Sequence, residues 1–179
     1  AVKGLGPLDN EEIKPGTGLV GTYFNNVGFD DPEDSMDLML NVDPLLSVDQ
    51  NWGKIRGSTW SARWTGFIEA PDSGQVTFTA EAVAGSRLEI AKTTVIDGLS
   101  QKPERSGTIN MTEGQKTPVT LEFESSYGKA KLRLFWHWNR HAKTIVPDAA
   151  LSHDPETMPE NYHIFDFKHR YADGHIAPV

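Results

Sequence analysis

Two tryptophans that fall outside predicted strands are the side chains of this sequence with the clearest binding chemistry. Trp52 lies between Asn51 and Gly53, and Trp138 ends a strand beside Asn139. Indole rings offer flat apolar faces that stack on the C–H faces of sugars, and neighbouring amides hydrogen-bond hydroxyl groups. A tryptophan in such a position also often packs in a core or at a sheet edge. Of the five tryptophans, these two are therefore the candidates for exposed aromatic contacts with a carbohydrate, although packing is the commoner role of such residues.

Tyr127 is a third candidate, because it lies in the polar turn formed by residues 125–129. Its alternative is an exposed turn residue with no ligand. The other three tryptophans fall on predicted strands, and we expect them in the core: Trp60, Trp64 and Trp136.

Catalytic residues are not indicated. A glycosidase needs two carboxylates that face each other across a cleft, and no spacing singles out a pair among the carboxylates on predicted strands. The spacing His137-x-x-x-His141 does not fall on a helix and has no third ligand, so it is weak evidence for zinc. We predict that the chain is not an enzyme.

No metal or cofactor is predicted either. The chain has no cysteine, which removes thiol catalysis, disulfides and thiolate zinc sites. The acidic residues 30–37 lack the Asp-x-Asp-x-Asp-Gly order of a calcium loop, so they are typical of a solvated segment.

The elements that must position these side chains are short strands. Residues 60–70 and 75–81 flank a Pro-Asp-Ser-Gly turn, and the second run alternates apolar with polar side chains. Period two is the mark of a half-buried strand, and Pro and Gly suit the turn. We therefore predict a β-hairpin here.

About nine short strands with turns every 8–12 residues or so predict an all-β chain, an antiparallel β-sandwich or barrel. The first strand is predicted at residues 19–24. Residues 36–42 are predicted as a short helical turn, and residues 45–48 as a short strand.

The length and net charge of the chain limit the classes of partner that it is expected to bind. The chain has 179 residues and a net charge of −8, which argues against nucleic acid and anionic membrane as partners. No apolar run approaches the length of a membrane span. We predict a leader or linker at residues 1–17, one domain at 18–151, and at 152–179 a tail or a linker to a following module.

An ordered series of motifs between residues 18 and 151 resembles the protective-antigen-type (PA14) domain family. The family's opening strand is matched by residues 18–24 (GLVGTYF), and its central signature by residues 61–68 (SARWTGFI), 71–74 and 76–78. Further matches follow in order at residues 85–90 (GSRLEI), 95–97, 106–109, 113–114 and 132–136 (LRLFW).

This resemblance implies a lectin-like β-sandwich, a module found in glycosidases, adhesins and toxins. Sugar-binding members hold calcium with two adjacent aspartates, at positions that match Val83 and Ala84 here. Apolar side chains give no oxygen to calcium, so we expect calcium-independent binding. The resemblance also places Arg87 and Asp97 where the ligand-facing loops converge. Arg87 has an alternative, an ion pair with a carboxylate on the sheet surface.

Two functions follow from these observations. The first is a non-catalytic carbohydrate-binding module of a larger secreted glycan-active enzyme or adhesin, secreted or at a cell surface or in the periplasm. The second is a structural or interaction module that packs on a neighbouring catalytic domain without a ligand of its own. The sequence does not identify the sugar.

Overall fold

The structure is a computed structural model. It describes residues 16, 18–24, 26, 28–29, 36–40, 60–82, 85–100, 104–125, 132–157, 163–170 and 176–178. Within these ranges thirteen strands form two sheets, which confirms the predicted all-β fold and leaves only two short 3-10 helices, Asp148–Ala150 and Pro155–Thr157. No helix of the described residues is long and apolar enough to span a membrane.

The strands follow one another with short connections in the central part of the chain. In chain order they are β1 (Leu19–Phe24), β2 (Met36–Leu40), β3 (Trp60–Glu69), β4 (Gly74–Ala82), β5 (Ser86–Ile90), β6 (Thr93–Asp97), β7 (Ser106–Met111), β8 (Lys116–Ser125), β9 (Leu132–His137), β10 (Thr144–Ile145), β11 (Leu151–Ser152), β12 (His163–Arg170) and β13 (Ile176–Pro178).

The larger sheet has the order β13-β12-β2-β1-β3-β8-β5-β6, with β11 also paired to β3. The smaller sheet has the order β10-β9-β4-β7. All pairs in both sheets are antiparallel except β12 with β2. The parts of the chain beyond Leu151 that the structure describes thus include strands of the larger sheet.

The core lies between the two sheets and is built by period-two alternation. On β4 the inward residues Val76 and Phe78 are fully buried. Trp60, Trp64 and Trp136 are also buried, which confirms their predicted place in the core. Burial of such side chains is the main stabilising contribution of a sandwich.

The predicted hairpin of β3 and β4 is wrong. β3 pairs with β1 and β8 in the larger sheet, whereas β4 pairs with β7 and β9 in the smaller one. The 71–74 turn therefore carries the chain across the core from one sheet to the other. This arrangement lets the apolar faces of both strands cover the same core: Ile68 before the turn and Val76 after it are both fully buried.

The helical turn predicted for residues 36–42 is also wrong, because Met36–Leu40 is strand β2. It pairs with β1 in a register that matches Leu19 with Leu40 and Tyr23 with Met36. The edge of β1 offers backbone partners that an isolated stretch lacks, and such tertiary pairing overrides local propensity. The strand predicted at residues 45–48 lies outside the described residues.

Gly107 marks a close approach between the edges of the two sheets. A Cβ atom at this position would lie 1.7 Å from the carbonyl oxygen of Val95 on β6. We expect Gly107→Ala to lower the free energy of unfolding by about 1–3 kcal/mol, because the two backbones must move apart. Urea denaturation measures the effect, with Ser106→Ala, at an exposed position on the same strand, as the control. Equal midpoints for the two variants would contradict this contact.

Candidate functional site

Two connections meet at one end of the sandwich, the 71–74 turn after β3 and the 138–143 loop after β9. The register of β4 with β9 brings them together, since Thr77 pairs with His137. Between them lies a surface hollow of about 530 Å³. Its lining includes Pro71, Trp136, Trp138 and Ile145, so we call it the apolar hollow.

A second hollow of about 320 Å³ adjoins the first. It differs in its lining, which includes Ser73, Gln75, Asn139 and Arg140, and we call it the polar hollow. Three residues line both: Asp72, Trp138 and His141. The two hollows thus share one boundary and offer different chemistry on its two sides.

Trp138 is the aromatic residue at this boundary. Its ring lies 4.9 Å from the ring of Trp136 and meets His141 edge-on at 5.8 Å, measured between centroids. It is only 8% exposed, so the predicted exposed position is wrong. The inward alternation of β9 explains this, because it continues one residue past the strand: Leu132, Leu134, Trp136 and Trp138 all face the core.

The indole Nε1 of Trp138 is buried and has no hydrogen-bond partner in the part of the chain that the structure describes. Most buried polar atoms in proteins have a hydrogen-bond partner, and a buried polar atom without one lowers the stability of the folded protein. This nitrogen has no accessible surface, so it lies enclosed behind the hollows and is not itself a donor to a ligand.

Asp72 and His141 contact each other at the surface, where both side chains are more than half exposed. His141 Nε2 donates to Asp72 Oδ2 over 3.2 Å, and the backbone N–H of Ser73 donates to Asp72 Oδ1 over 2.8 Å. The backbone N–H of His141 donates to the carbonyl of Trp138 over 3.0 Å, which closes the loop. These contacts lower the pKa of Asp72, the His141 hydrogen bond most and the Ser73 hydrogen bond next.

A pH dependence follows from the lowered pKa of Asp72. A carboxylate with a depressed pKa adds stability above its ordinary value of 3.8, and this stability is lost as the pH falls through the lowered value. We expect Asp72→Asn to be less stable than the wild type at neutral pH, with a gap that shrinks below pH 3.8. Urea midpoints across pH measure the gap, and Glu113→Gln, at an exposed carboxylate of a nearby turn, is the control. A gap that widens in acid would contradict the pairing.

Arg87 and Asp97 lie elsewhere. They face each other across β5 and β6, and β5 starts beyond the far end of β4. With nine residues, β4 spans roughly 30 Å. The six residues predicted for a ligand site therefore do not form one cluster: Trp138 and Asn139 line the polar hollow, whereas Arg87 and Asp97 lie towards the other end of the sandwich.

Arg87 has the carboxylate partner that the sequence offered as its alternative. Its guanidinium contacts Glu122, which also accepts from Nε of Arg63 at 3.1 Å and from its Nη2 at 2.9 Å. Glu122 is 2% exposed and sits in register between the two arginines on neighbouring strands. Both oxygens of this buried carboxylate are thus paired, as a buried charge requires. The backbone N–H of Asp97 donates to Glu104 Oε2 at 3.2 Å.

Several predictions fall outside the described residues. They concern Trp52, Tyr127, the positions Val83 and Ala84, and most of the acidic segment at residues 30–37. Within the described ranges no group of three or more His, Asp or Glu side chains has the geometry to hold a metal.

Asp72 and Gln75 are candidate site residues that the sequence did not single out, and His141 was considered there only as a weak zinc ligand with His137. Asp72 and His141 are separated by 69 positions and belong to two different connections. No local sequence pattern indicates that two residues so far apart in the sequence meet in the structure. The available signals were the proline and glycine of the 71–74 turn and the cluster of polar residues after Trp138.

Comparisons with known proteins place the chain in a family. The model of the PA14 domain family matches residues 15–150. The anti-sigma-I factor RsgI3 of Acetivibrio thermocellus is 29% identical over 159 residues, which cover 83% of this chain and 23% of that protein.

Two solved structures are similar to the fold. An anti-sigma factor domain-containing protein from Clostridium clariflavum has a TM-score of 0.70 and 26% identity, and the match covers 82% of this chain and 49% of that chain. A PA14 sugar-binding domain from an RTX adhesin has a TM-score of 0.57 and 20% identity over 77% of this chain and 99% of that chain. The chain thus spans about a quarter of the curated relative and half of the first structure.

Proposed function

The chain belongs to the PA14 domain family, and from this premise we propose that it is a non-catalytic carbohydrate-binding module. Its glycan site is the pair of hollows around Trp138. One observation carries the proposal: Trp136 and Trp138, which are 3% and 8% exposed, border a concave surface beside exposed hydrogen-bonding side chains. This is the combination that sugars need, because a pyranose has an apolar C–H face and a rim of hydroxyl groups.

The chemistry of the site requires no metal. Asn139 and Gln75 each offer an amide donor and an acceptor, and Arg140 offers several donors. Asp72 is held as an ionised acceptor by His141 and the Ser73 backbone. Together with the apolar residues Val83 and Ala84 at the family's calcium positions, this supports calcium-independent binding.

A glycan array on the purified chain tests the proposal, run once with excess calcium and once with a chelator. We expect the same glycans to bind in both conditions. Asn139→Ala should weaken binding, because it removes one polar contact, while Thr93→Ala, an exposed residue on β6 of the other sheet, should leave it unchanged. Binding that the chelator abolishes would contradict calcium independence, and a blank array in both conditions would contradict the function.

We further propose that this module works inside a longer protein that meets glycans outside the cell. The sequence led us to expect a secreted enzyme or an adhesin as the parent. The two anti-sigma factor relatives favour a third parent, an anti-sigma factor in which the module recognises a glycan, and the chain matches only part of each. Expression of the complete gene product and its localisation by fractionation distinguish these parents.

A structural module without a ligand is the second candidate. It is favoured by the burial of Trp138, whose ring packs against Trp136 and belongs to the core cluster. Under this alternative the tryptophans only close the end of the sandwich. A blank array, together with a stable complex between this chain and its neighbouring domain, is the result that this alternative predicts.

A further inference from the structure

Two connections meet at the end of the sandwich away from the hollows. The first leads from β4 into β5 and ends at Gly85, and the second leads from β6 into β7 and begins at Gly98. The backbone N–H of Gly98 donates to the carbonyl of Ser86 over 2.8 Å. A backbone hydrogen bond thus joins the two connections where β5 begins and β6 ends.

Glu124, near the end of β8, contacts both connections. Its backbone N–H donates to the carbonyl of Gly85 over 2.9 Å, and its Oε1 accepts a hydrogen bond from the backbone N–H of Ser100. The side chain packs closely on the glycine, because a Cβ atom on Gly85 would lie 2.5 Å from Glu124 Oε1 and 2.9 Å from its Cγ. One side chain therefore lies between the first connection and the second.

The backbone of Ser100 supports a role for this hydrogen bond. Its φ angle is +56°, in the left-handed region that residues other than glycine adopt only uncommonly. Such a conformation costs free energy and persists only where surrounding contacts hold it. The hydrogen bond from Ser100 to Glu124 is one such contact, so the position of the second connection depends on the carboxylate.

The calcium that the resemblance implies does not fit the residues at this end. Calcium binds about six to eight oxygen atoms, which come from carboxylates, carbonyls and water. The two residues before Gly85 are Val83 and Ala84, whose side chains have no oxygen. Oε1 of Glu124 already accepts from Ser100, and within the described ranges no three His, Asp or Glu side chains form a group that could hold a metal.

From these contacts we infer that Glu124 is a positioning residue, whose carboxylate fixes the two connections against each other without a metal ion. The consequence reaches two residues that the resemblance places at the ligand-facing loops. Arg87 follows Ser86 and Asp97 precedes Gly98, so both adjoin the backbone groups that are joined here. The inference does not depend on the proposed function, because the hollows around Trp138 lie at the other end of the sandwich.

Hydrogen exchange of assigned backbone amides tests the hydrogen bond with two variants. Glu124→Ala removes the acceptor, whereas Glu124→Gln keeps an oxygen that accepts the same bond but removes the charge that calcium prefers. We expect the Ser100 amide to exchange about tenfold faster in Glu124→Ala, as for the loss of one hydrogen bond to a charged group, and to stay near the wild-type rate in Glu124→Gln. Glu69→Ala, at an exposed carboxylate of β3, is the control and should leave Ser100 unchanged.

Calcium titration tests the independence from metal. ¹H–¹⁵N spectra of the wild type and Glu124→Gln are recorded with calcium chloride and with a chelator. We expect the amide signals of Gly85, Gly98 and Ser100 to stay in place in both proteins, and the thermal midpoint of the wild type to be the same in both conditions. Calcium-induced shifts of these signals in the wild type that Glu124→Gln lacks would overturn the inference, because they would make Glu124 a calcium ligand.

Two further results would overturn it. One is an equal exchange rate of the Ser100 amide in the wild type and Glu124→Ala. The other decides the matter even where Glu124→Ala does not fold: a Ser100 amide that exchanges in the wild type as fast as in an unstructured peptide would show that the carboxylate does not hold it. The glycan array is unaffected by either result.

Discussion

Replacement of Trp64 by alanine is expected to lower the free energy of unfolding by about 3–5 kcal/mol. Trp64 is completely buried on β3 at the centre of the larger sheet, where it lies in register between Gly21 on β1 and Leu121 on β8. Strands on both sides and the second sheet opposite limit how far the site can collapse. The loss therefore includes both the lost burial and the cavity that remains.

Urea denaturation of the wild type and Trp64→Ala measures this loss. The matched control is Thr65→Ala, because Thr65 is the next residue on the same strand and faces solvent. Its change should stay within about 0.5 kcal/mol. A Trp64→Ala protein that is nearly as stable as this control would contradict the position of Trp64 in the core.

Replacement of Trp138 by alanine is expected to remove both stability and glycan binding. The ring is 8% exposed and packs on Trp136, so its loss should destabilise the protein by about 3 kcal/mol, at the low end for tryptophan. The value is low because the ring borders two hollows, and water or neighbouring side chains can partly fill the space. Binding is lost because the same ring forms part of both hollows.

Trp138→Phe separates the two effects. Phenylalanine keeps an aromatic ring in the core, so we expect less destabilisation than with alanine and an affinity between those of the wild type and Trp138→Ala. Thermal unfolding and calorimetry on the same samples measure the two quantities. Undiminished affinity in a folded Trp138→Ala would remove the ring from the site.

Strand identity was predictable from the sequence wherever alternation was clear. Val76 and Phe78 alternate with polar residues, and this pattern is a local consequence of a half-buried strand. Which strands pair with each other was not predictable in the same way. Residues 60–70 and 75–81 look like a hairpin because a turn joins them, but the choice between pairing within one sheet and crossing to the other depends on distant strands. β8 occupies the edge of β3, and β7 and β9 occupy those of β4.

The candidate site was predictable only in part for a related reason. Trp138 and Asn139 were recognisable as an aromatic and an amide beside each other in the sequence. The burial of Trp138 also had a signal, the even spacing from Leu132 onward. No signal in the sequence indicated that Asp72 and His141 meet, because the register of β4 with β9 brings two distant connections together. The chemical type of each side chain can be read from a sequence. Which side chains lie together in space depends on the register of the strands.

The indole N–H signals of the five tryptophans give the most direct test of the central claim, that the hollows around Trp138 bind glycan. The measurement is a two-dimensional ¹H–¹⁵N spectrum of the labelled chain during titration with the glycan that gives the strongest signal on the array, with Trp138 assigned through Trp138→Phe. We predict that the signals of Trp138 and Trp136 shift in step with saturation, while those of the core residues Trp60 and Trp64 stay in place. Binding that leaves the Trp138 signal unmoved, or that shifts only Trp52, would contradict the account and place the site elsewhere.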